Sequence, residues 1–278
     1  MTVAEFTPIV LGAALLAGFL GSLTGLGGGV VVTPVLTLFL GVDLRYAIGA
    51  SLVSVIATSS GAAAAYVRDG FSNIRIGMFL EIATTLGAIF GAYLGTHVST
   101  GVLSIIFGLI LMQAAWQTSR PPKPSTKPLP PDPIGNSLKL NSSYMTEFGE
   151  ESYKVRRVKL GFGLMFGAGT LSGLLGIGSG SLKVIAMDQA MQIPFKVSTA
   201  TSNFMIGVTA AASASIYLSR GYVRPEIAMP VMLGVLAGSL IGARYLKRLS
   251  VVLLRRVFAI VVGLMAIEMI VDGVRAYL

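Results

Sequence analysis

Residues 21–36 read Gly21-Ser-Leu-Thr-Gly-Leu-Gly-Gly-Gly-Val-Val-Val-Thr-Pro-Val-Leu36, and residues 172–183 read Ser172-Gly-Leu-Leu-Gly-Ile-Gly-Ser-Gly-Ser-Leu-Lys183. Each is a glycine cluster between a long apolar run and a short one. Shifting the chain by 151 positions lays Gly25, Gly27 and Gly29 on Gly176, Gly178 and Gly180, with Gly28 meeting Ser179. The register continues without a gap from Gly25 to Gly95. Ser51 meets Ser202, Thr58 meets Thr209, Tyr66 meets Tyr217, Gly70 meets Gly221, and Gly87 and Gly91 meet Gly238 and Gly242. There are 13 identities in 71 positions, six of them glycines at matching points of the pattern. The chain therefore reads as a duplicated unit.

Outward from the clusters the sequence is apolar. Its 278 residues are 54% hydrophobic and only 12% charged, and the mean hydropathy is +0.79. A soluble fold of this length could not cover its surface with so few charges, and disordered chains are polar. A helix needs about 20 apolar residues to cross a bilayer core. Candidate runs fall at 6–25, 30–41, 46–67, 74–96, 101–117, 159–175, 181–191, 197–218, 225–246 and 251–272. The second and seventh are too short to span comfortably at about 1.5 Å per residue. The expected fold is all-α, a polytopic membrane protein of about 8–10 helices. Five segments per half is an odd number, so the two repeats are expected to be inverted, a recurrent plan of secondary transporters. Glu5, with no Lys or Arg before the first run, argues against a cleaved signal peptide.

Between the halves, residues 118–158 hold seven of the twelve prolines and are otherwise polar. The stretch reads as an extended, partly disordered cytoplasmic linker between a first membrane repeat, 1–117, and a second, 159–278. With the linker inside and the segments alternating, 16 of the 21 Lys and Arg fall on the cytoplasmic side, as orientation by positive charge requires. The net charge of +9 is thus mostly an orientation signal, and no nucleic-acid partner is expected. There is no cysteine and one histidine, so thiolate chemistry is excluded and no metal or other cofactor is expected.

The glycine clusters are the sharpest candidate site. Backbone N–H groups freed at the start of a short helix inside a membrane need partners, and the partial positive charge there suits an anion. Tight packing or a plain turn is the alternative. Candidate substrate-binding residues are Gly25, Gly27, Gly28, Gly29 and Ser51 in the first half. In the second they are Gly176, Gly178, Ser179, Gly180, Lys183, Thr201, Ser202 and Asn203. Ser54, Thr58, Ser59, Ser60, Thr199, Thr209 and Ser213 are the kind of hydroxyls that also satisfy their own helices. Lys183 could attract an anion or snorkel to the surface; its counterpart is Val32. Glu81 and Glu268 lie inside apolar runs, where a carboxylate is costly, and are candidates for proton coupling or for structural pairing. Gly87, Gly91 and Gly95, and Gly234, Gly238 and Gly242, have the spacing of helix-packing ladders.

No G-x-x-x-x-G-K-[ST], H-E-x-x-H or G-x-S-x-G motif occurs, so ATP drive, zinc-protease and esterase readings lack support and no enzyme is expected. Both glycine clusters, with Lys196-Val-Ser-Thr-Ala-Thr-Ser-Asn-Phe-Met-Ile-Gly-Val-Thr-Ala-Ala212, resemble the sulfite exporter TauE/SafE family of membrane transporters across both halves. That resemblance implies carriage of small anions, among them sulfite and organosulfonates. Ser179 departs from the glycine found at Gly28. The combined expectation is a multi-pass transporter in the cytoplasmic membrane. Its partners would be a small anionic substrate and the lipid bilayer, with a homo-oligomer left open. It would work by rocking one half against the other around a midplane site. A passive anion channel and an accessory scaffold acting through the linker are the alternatives.

Overall fold

The computed structural model describes residues 3–24, 29–68, 72–119, 132–146, 149–245 and 251–277. The first half holds α1 (Val3–Thr24), α2 (Gly29–Pro34), α3 (Leu44–Arg68), α4 (Ile74–His97) and α5 (Thr100–Ser119). A short α6 (Pro133–Ser137) and two strands, β1 (Ser142–Thr146) and β2 (Gly149–Tyr153), follow. The second half holds α7 (Val158–Leu175), α8 (Gly180–Ile185), α9 (Phe195–Ser219), α10 (Pro225–Tyr245) and α11 (Val251–Arg275). Both short helices run straight into a π-helical turn, Val35–Phe39 after α2 and Ala186–Ala190 after α8. The ten apolar runs expected from hydropathy are these ten elements to within a few residues.

The repeat is visible in the elements. The starts of α2, α3, α4 and α5, and both π-helical turns, recur 151 residues later in the second half. Packing is reciprocal in the same sense. α1 lies on α10 while α4 lies on α7, and α3 meets α9 as α5 meets α11. The principal partners are therefore taken from opposite halves.

Glycine makes the two cross-repeat crossings close. A Cβ built on Gly87 would stand 2.1 Å from Phe166 O, and one on Gly91 would stand 1.9 Å from Thr170 O. From the other side, Gly169 and Gly173 meet Thr84 O and Ala88 O at 2.1 and 2.0 Å. At the α1–α10 crossing, Gly234 and Gly238 meet Leu11 O and Leu15 O at 2.6 and 2.0 Å. At Gly95 the near groups are the Tyr217 hydroxyl and Leu174 O, at 2.5 and 3.2 Å. Backbones in such contact gain dispersion over many atoms, which is what joins helices in lipid.

The outer faces are apolar. Met78, Ile82, Leu86 and Phe90 on α4, Leu233 and Leu240 on α10, and Ile260 and Leu264 on α11 are all exposed. A continuous apolar face of this kind is costly in water and suits lipid. Ile74–His97, Thr100–Gln117, Val158–Leu175 and Pro225–Gly242 are long and apolar enough, by length and composition, to cross a membrane. The protein is an all-α membrane protein. α3 and α9 are its polar-lined centre, with Ser51, Ser54, Ser198, Thr201, Ser202, Thr209 and Ser213 buried.

Residues 132–157 depart from the expected extended linker. Asp132 caps α6, its Oδ1 accepting from Ile134 N at 2.8 Å, while its Oδ2 accepts from Val158 N at 2.8 Å and ties α6 to the start of α7. β1 and β2 form an antiparallel hairpin in which Ser142 pairs with Tyr153. Leu140, Tyr153 and Val155 are buried against Ile76 and Leu80 of α4, Met187 and Met191 after α8, and Val197 of α9. The prolines 121–131 lie outside the described residues; Pro133 sits at the first turn of α6, where its missing N–H costs nothing. Proline content signalled a linker, but six of the seven prolines precede the folded part, whose few apolar side chains suffice to dock it.

Candidate functional site

The second glycine turn is built on left-handed backbone. Gly176 has φ +69°, Gly178 +71° and Ser179 +44°. Gly176 ends α7, its N–H donating to Ser172 O at 2.8 Å, and Ser179 precedes α8. A side chain in this region costs about 1–2 kcal/mol, so Ser179 is a strained position. Its hydroxyl is buried without a hydrogen-bond partner. Gly25, Gly27 and Gly28 lie outside the described residues. Gly29 opens α2 and is buried.

The two clusters meet at Ser51. Its hydroxyl lies 2.9 Å from Gly176 O and 3.3 Å from Gly29 O, able to donate to either. A Cβ on Gly29 would also stand 3.1 Å from Gly176 O. Ser202, the repeat partner of Ser51, donates to Gly180 O at 3.1 Å. That is the same bond as Ser51 to Gly29, displaced by 151 residues. The Ser202 hydroxyl proton is thus spent on Gly180 O and that of Ser51 on Gly176 O or Gly29 O, and both residues hold the starts of the short helices.

The other expected site residues are elsewhere. Thr201 Oγ1 accepts from Asn73 N at 3.0 Å, joining α9 to the loop before α4. Asn203 donates to Thr199 O in its own helix. Ser54, Thr58, Ser59 and Ser60 bond carbonyls one turn back, as membrane serines and threonines commonly do. Glu268 is exposed on α11.

Beside Ser179 and Gly180 is a small, partly open pocket of about 10 Å³, lined also by Val30, Gln113 and Gln117. That volume admits no more than about one water.

One turn into α8, Lys183 is fully buried. It does not snorkel; its Nζ donates to Thr209 Oγ1 of α9 at 2.5 Å. Thr209 Oγ1 lies 2.7 Å from Glu81 Oε1 of α4 and is able to donate to it or to Met205 O at 2.9 Å. Thr85 Oγ1 donates to the same carboxylate oxygen at 3.0 Å. Glu81 is 8% exposed, and its Oε2 has no partner. Among the described residues the only ion pair within 4.0 Å is Arg275–Asp272, so Lys183 and Glu81 face each other across the Thr209 hydroxyl. Thr209 was visible in sequence as the repeat partner of Thr58, but three separate elements bring the group together.

At the end of the bundle away from β1 and β2 is an open cleft lined by Tyr46, Arg224, Glu226 and Ile227. The Arg224 guanidinium lies 5.3 Å from the Tyr46 ring centre and that of Arg45 lies 5.6 Å from the Tyr222 ring. Arg45 also donates to Val98 O at 2.8 Å. Among the described residues no group of three or more His, Cys, Asp or Glu has metal-binding geometry.

Comparison with known proteins agrees with this architecture. The family model described as sulfite exporter TauE/SafE matches residues 10–269. A probable membrane transporter protein, YunE, of Bacillus subtilis is 29% identical over 277 residues, covering 96% of this chain and 97% of the relative. A probable membrane transporter protein of Xylella fastidiosa is 27% identical, with 94% of each chain covered. Another, MJ0441 of Methanocaldococcus jannaschii, is 24% identical, with 95% of each covered. No solved structure matches.

Proposed function

The chain belongs to the sulfite exporter TauE/SafE family, and from that premise we propose that this membrane transporter carries a small anion, of the sulfur-oxyanion or organosulfonate class, across the cytoplasmic membrane by alternating access. The observation that carries the reading is the meeting of Gly29, at the start of α2, and Gly176, in the second glycine turn, at Ser51. Turns that precede short helices inside a membrane present N–H groups and partial positive charge, to which an anion is the natural partner. An odd count of five elements in each half supports halves of opposite sense that bring Gly29 and the second turn together near the midplane. The excess of basic residues supports a cytoplasmic position for the folded segment 132–157. Arg45 and Arg224 then line the outer mouth, where they gather anions.

The packing favours a particular division of the moving parts. Rocking whole halves against each other would open the close α1–α10 and α4–α7 crossings. The economical motion keeps those crossings intact. One body is then α1, α2, α3 and α10, and the other is α4, α7, α8 and α9 with the β1–β2 cap. Their shared boundary is α3 against α9, where the glycine turns meet.

Thermal unfolding of the purified protein against sulfite, sulfate, thiosulfate, methanesulfonate and acetate tests the reading. A bound anion at 100 times its Kd stabilises by about 2.7 kcal/mol. One or more of the sulfur anions is expected to raise the melting temperature, and Gly178→Val, at φ +71°, to remove that response. A response that survives Gly178→Val, or none to any anion, contradicts it.

A further inference from the structure

We propose that Lys183, Thr209 and Glu81 form a proton-linked seat for a monovalent oxyanion, in which the anion takes the Lys183 ammonium from Glu81 and one proton boards Glu81 with it. This deepens the transport reading and rests on it.

The seat stands on geometry. Lys183, Thr209 and Glu81 come from α8, α9 and α4, three of the four main helices of one proposed body. Lys183 and Thr209 are fully buried, and Glu81 is 8% exposed. Thr209 Oγ1 accepts from the ammonium, which carries three donors. The carboxylate keeps one buried oxygen, Oε2, without any partner. Positive and negative charge thus balance across a hydroxyl, but neither group is saturated. Lys183 is one turn from Ser179, whose buried hydroxyl is also unpartnered. The ammonium therefore lies next to the glycine turn.

Charge conservation in a buried site supplies the rest. With the seat empty, the ammonium and the carboxylate sum to zero. An incoming monoanion that pairs with Lys183 leaves Glu81 as a buried carboxylate without its counter-charge, which is strongly unfavourable. Glu81 restores neutrality by taking a proton from hydronium of the aqueous phase: one O–H bond forms on its carboxylate as one breaks on hydronium, which leaves as water. The loaded seat is again neutral, with Lys183 ammonium, the anion, and protonated Glu81. A dianion would leave a net negative charge, so the arrangement favours monovalent cargo. The other titratable groups on the surrounding elements stand apart. Arg75, Lys159 and Lys196 at the cap end and His97 and Arg220 at the far end are exposed, and Asp188 is half-buried at the π-helical turn. In the repeat, Lys183 corresponds to Val32 and Glu81 to Met232. Among the described residues there is one such seat, which sets one proton and one anion per cycle.

By linkage, anion and proton binding assist each other equally. Where the loaded seat holds the proton and the empty seat does not, anion affinity is expected to fall about tenfold per pH unit. The test uses proteoliposomes with methanesulfonate, which stays monovalent throughout, and with sulfite. Wild-type protein is expected to accumulate anion under an inward proton gradient, with one proton entering per anion by an internal pH dye. Glu81→Gln is expected to keep anion exchange at equal pH while losing gradient-driven accumulation. Lys183→Met is expected to lose both, and Lys183→Arg to recover exchange. Net anion accumulation by wild-type protein with no proton entry overturns the seat and leaves the transport reading standing, as does gradient-driven accumulation by Glu81→Gln. The proton count is made on wild-type protein, so it decides the matter even if a variant fails to fold. Absence of any exchange by folded wild-type protein removes the transport reading and the seat with it.

Discussion

Changing Gly91 to alanine tests the claim that the cross-repeat crossings are rigid units. The added Cβ would stand 1.9 Å from Thr170 O, 2.7 Å from Thr170 C and 2.9 Å from Thr170 Cα. All three are backbone atoms, so no side chain can swing aside. Restoring an ordinary contact requires α4 and α7 to part by roughly 1.5 Å, and a gap of even 0.5–1 Å forfeits about a quarter to a half of each dispersion contact. Gly87, Gly169 and Gly173 share that crossing and would lose their close approach together. The cost should therefore reach the upper part of the overpacking range of about 1–3 kcal/mol, or exceed it. Gly238→Ala, 2.0 Å from Leu15 O, should cost a similar amount at the α1–α10 crossing. Gly163 and Gly167 have nothing within 4 Å of the added atom, so alanine there should be neutral or stabilising by up to about 1 kcal/mol. Thermal unfolding of the four variants in one detergent measures the contrast. Equal melting temperatures for Gly91→Ala and Gly163→Ala would refute the reasoning.

Ser51→Ala should destabilise by about 1–3 kcal/mol and more than Ser202→Ala, because Ser51 serves carbonyls of both turns and Ser202 one; the reverse order in thermal unfolding would contradict this. Burial holds the Tyr153 phenol above its ordinary value of 10.0. Its contribution to docking is present below pH 10 and is lost as pH rises through its raised value, so hydrogen exchange of β1–β2 should quicken there, and Tyr153→Phe should blunt that pH dependence. Arg224→Gln, which removes a guanidinium 5.3 Å from the Tyr46 ring, should slow anion uptake at low salt and differ little from wild type at high salt. A defect independent of salt would contradict a gathering role.

The ten apolar helical elements were readable because long apolar runs with few charges fold as helices when they cannot be solvated, and hydropathy records them. The 151-residue register foretold the matching starts of α2 and α8 and the matching bonds of Ser51 and Ser202. The partners of the glycine ladders were not readable, because small residues at i and i+4 specify a close neighbour without saying which. Gly87 and Gly91 meet α7, and Gly234 and Gly238 meet α1; this interleaving changes which parts can move. Lys183 and Glu81 each stood out as charges in apolar runs. Their meeting through Thr209 depends on the packing of α4, α8 and α9, which no local pattern encodes. The cap was hidden by the prolines that precede it, and its docking rests on a few scattered side chains, among them Leu140, Tyr153 and Val155.

The most direct test of the account is transport with the α3–α9 boundary locked. The chain has no cysteine, so introduced pairs report without background. A Cβ on Gly207 would stand 2.7 Å from Ser59 Oγ, so Ser59→Cys with Gly207→Cys joins the two proposed bodies. Phe90 and Phe166, with ring centres 6.2 Å apart, lie within one body, and Phe90→Cys with Phe166→Cys joins α4 to α7 through a short bis-thiol reagent. Uptake of the anion that stabilises the protein is expected to stop when the first pair is oxidised, to return on reduction, and to continue when the second is cross-linked. Undiminished uptake through a fully oxidised Ser59→Cys/Gly207→Cys protein would contradict the account.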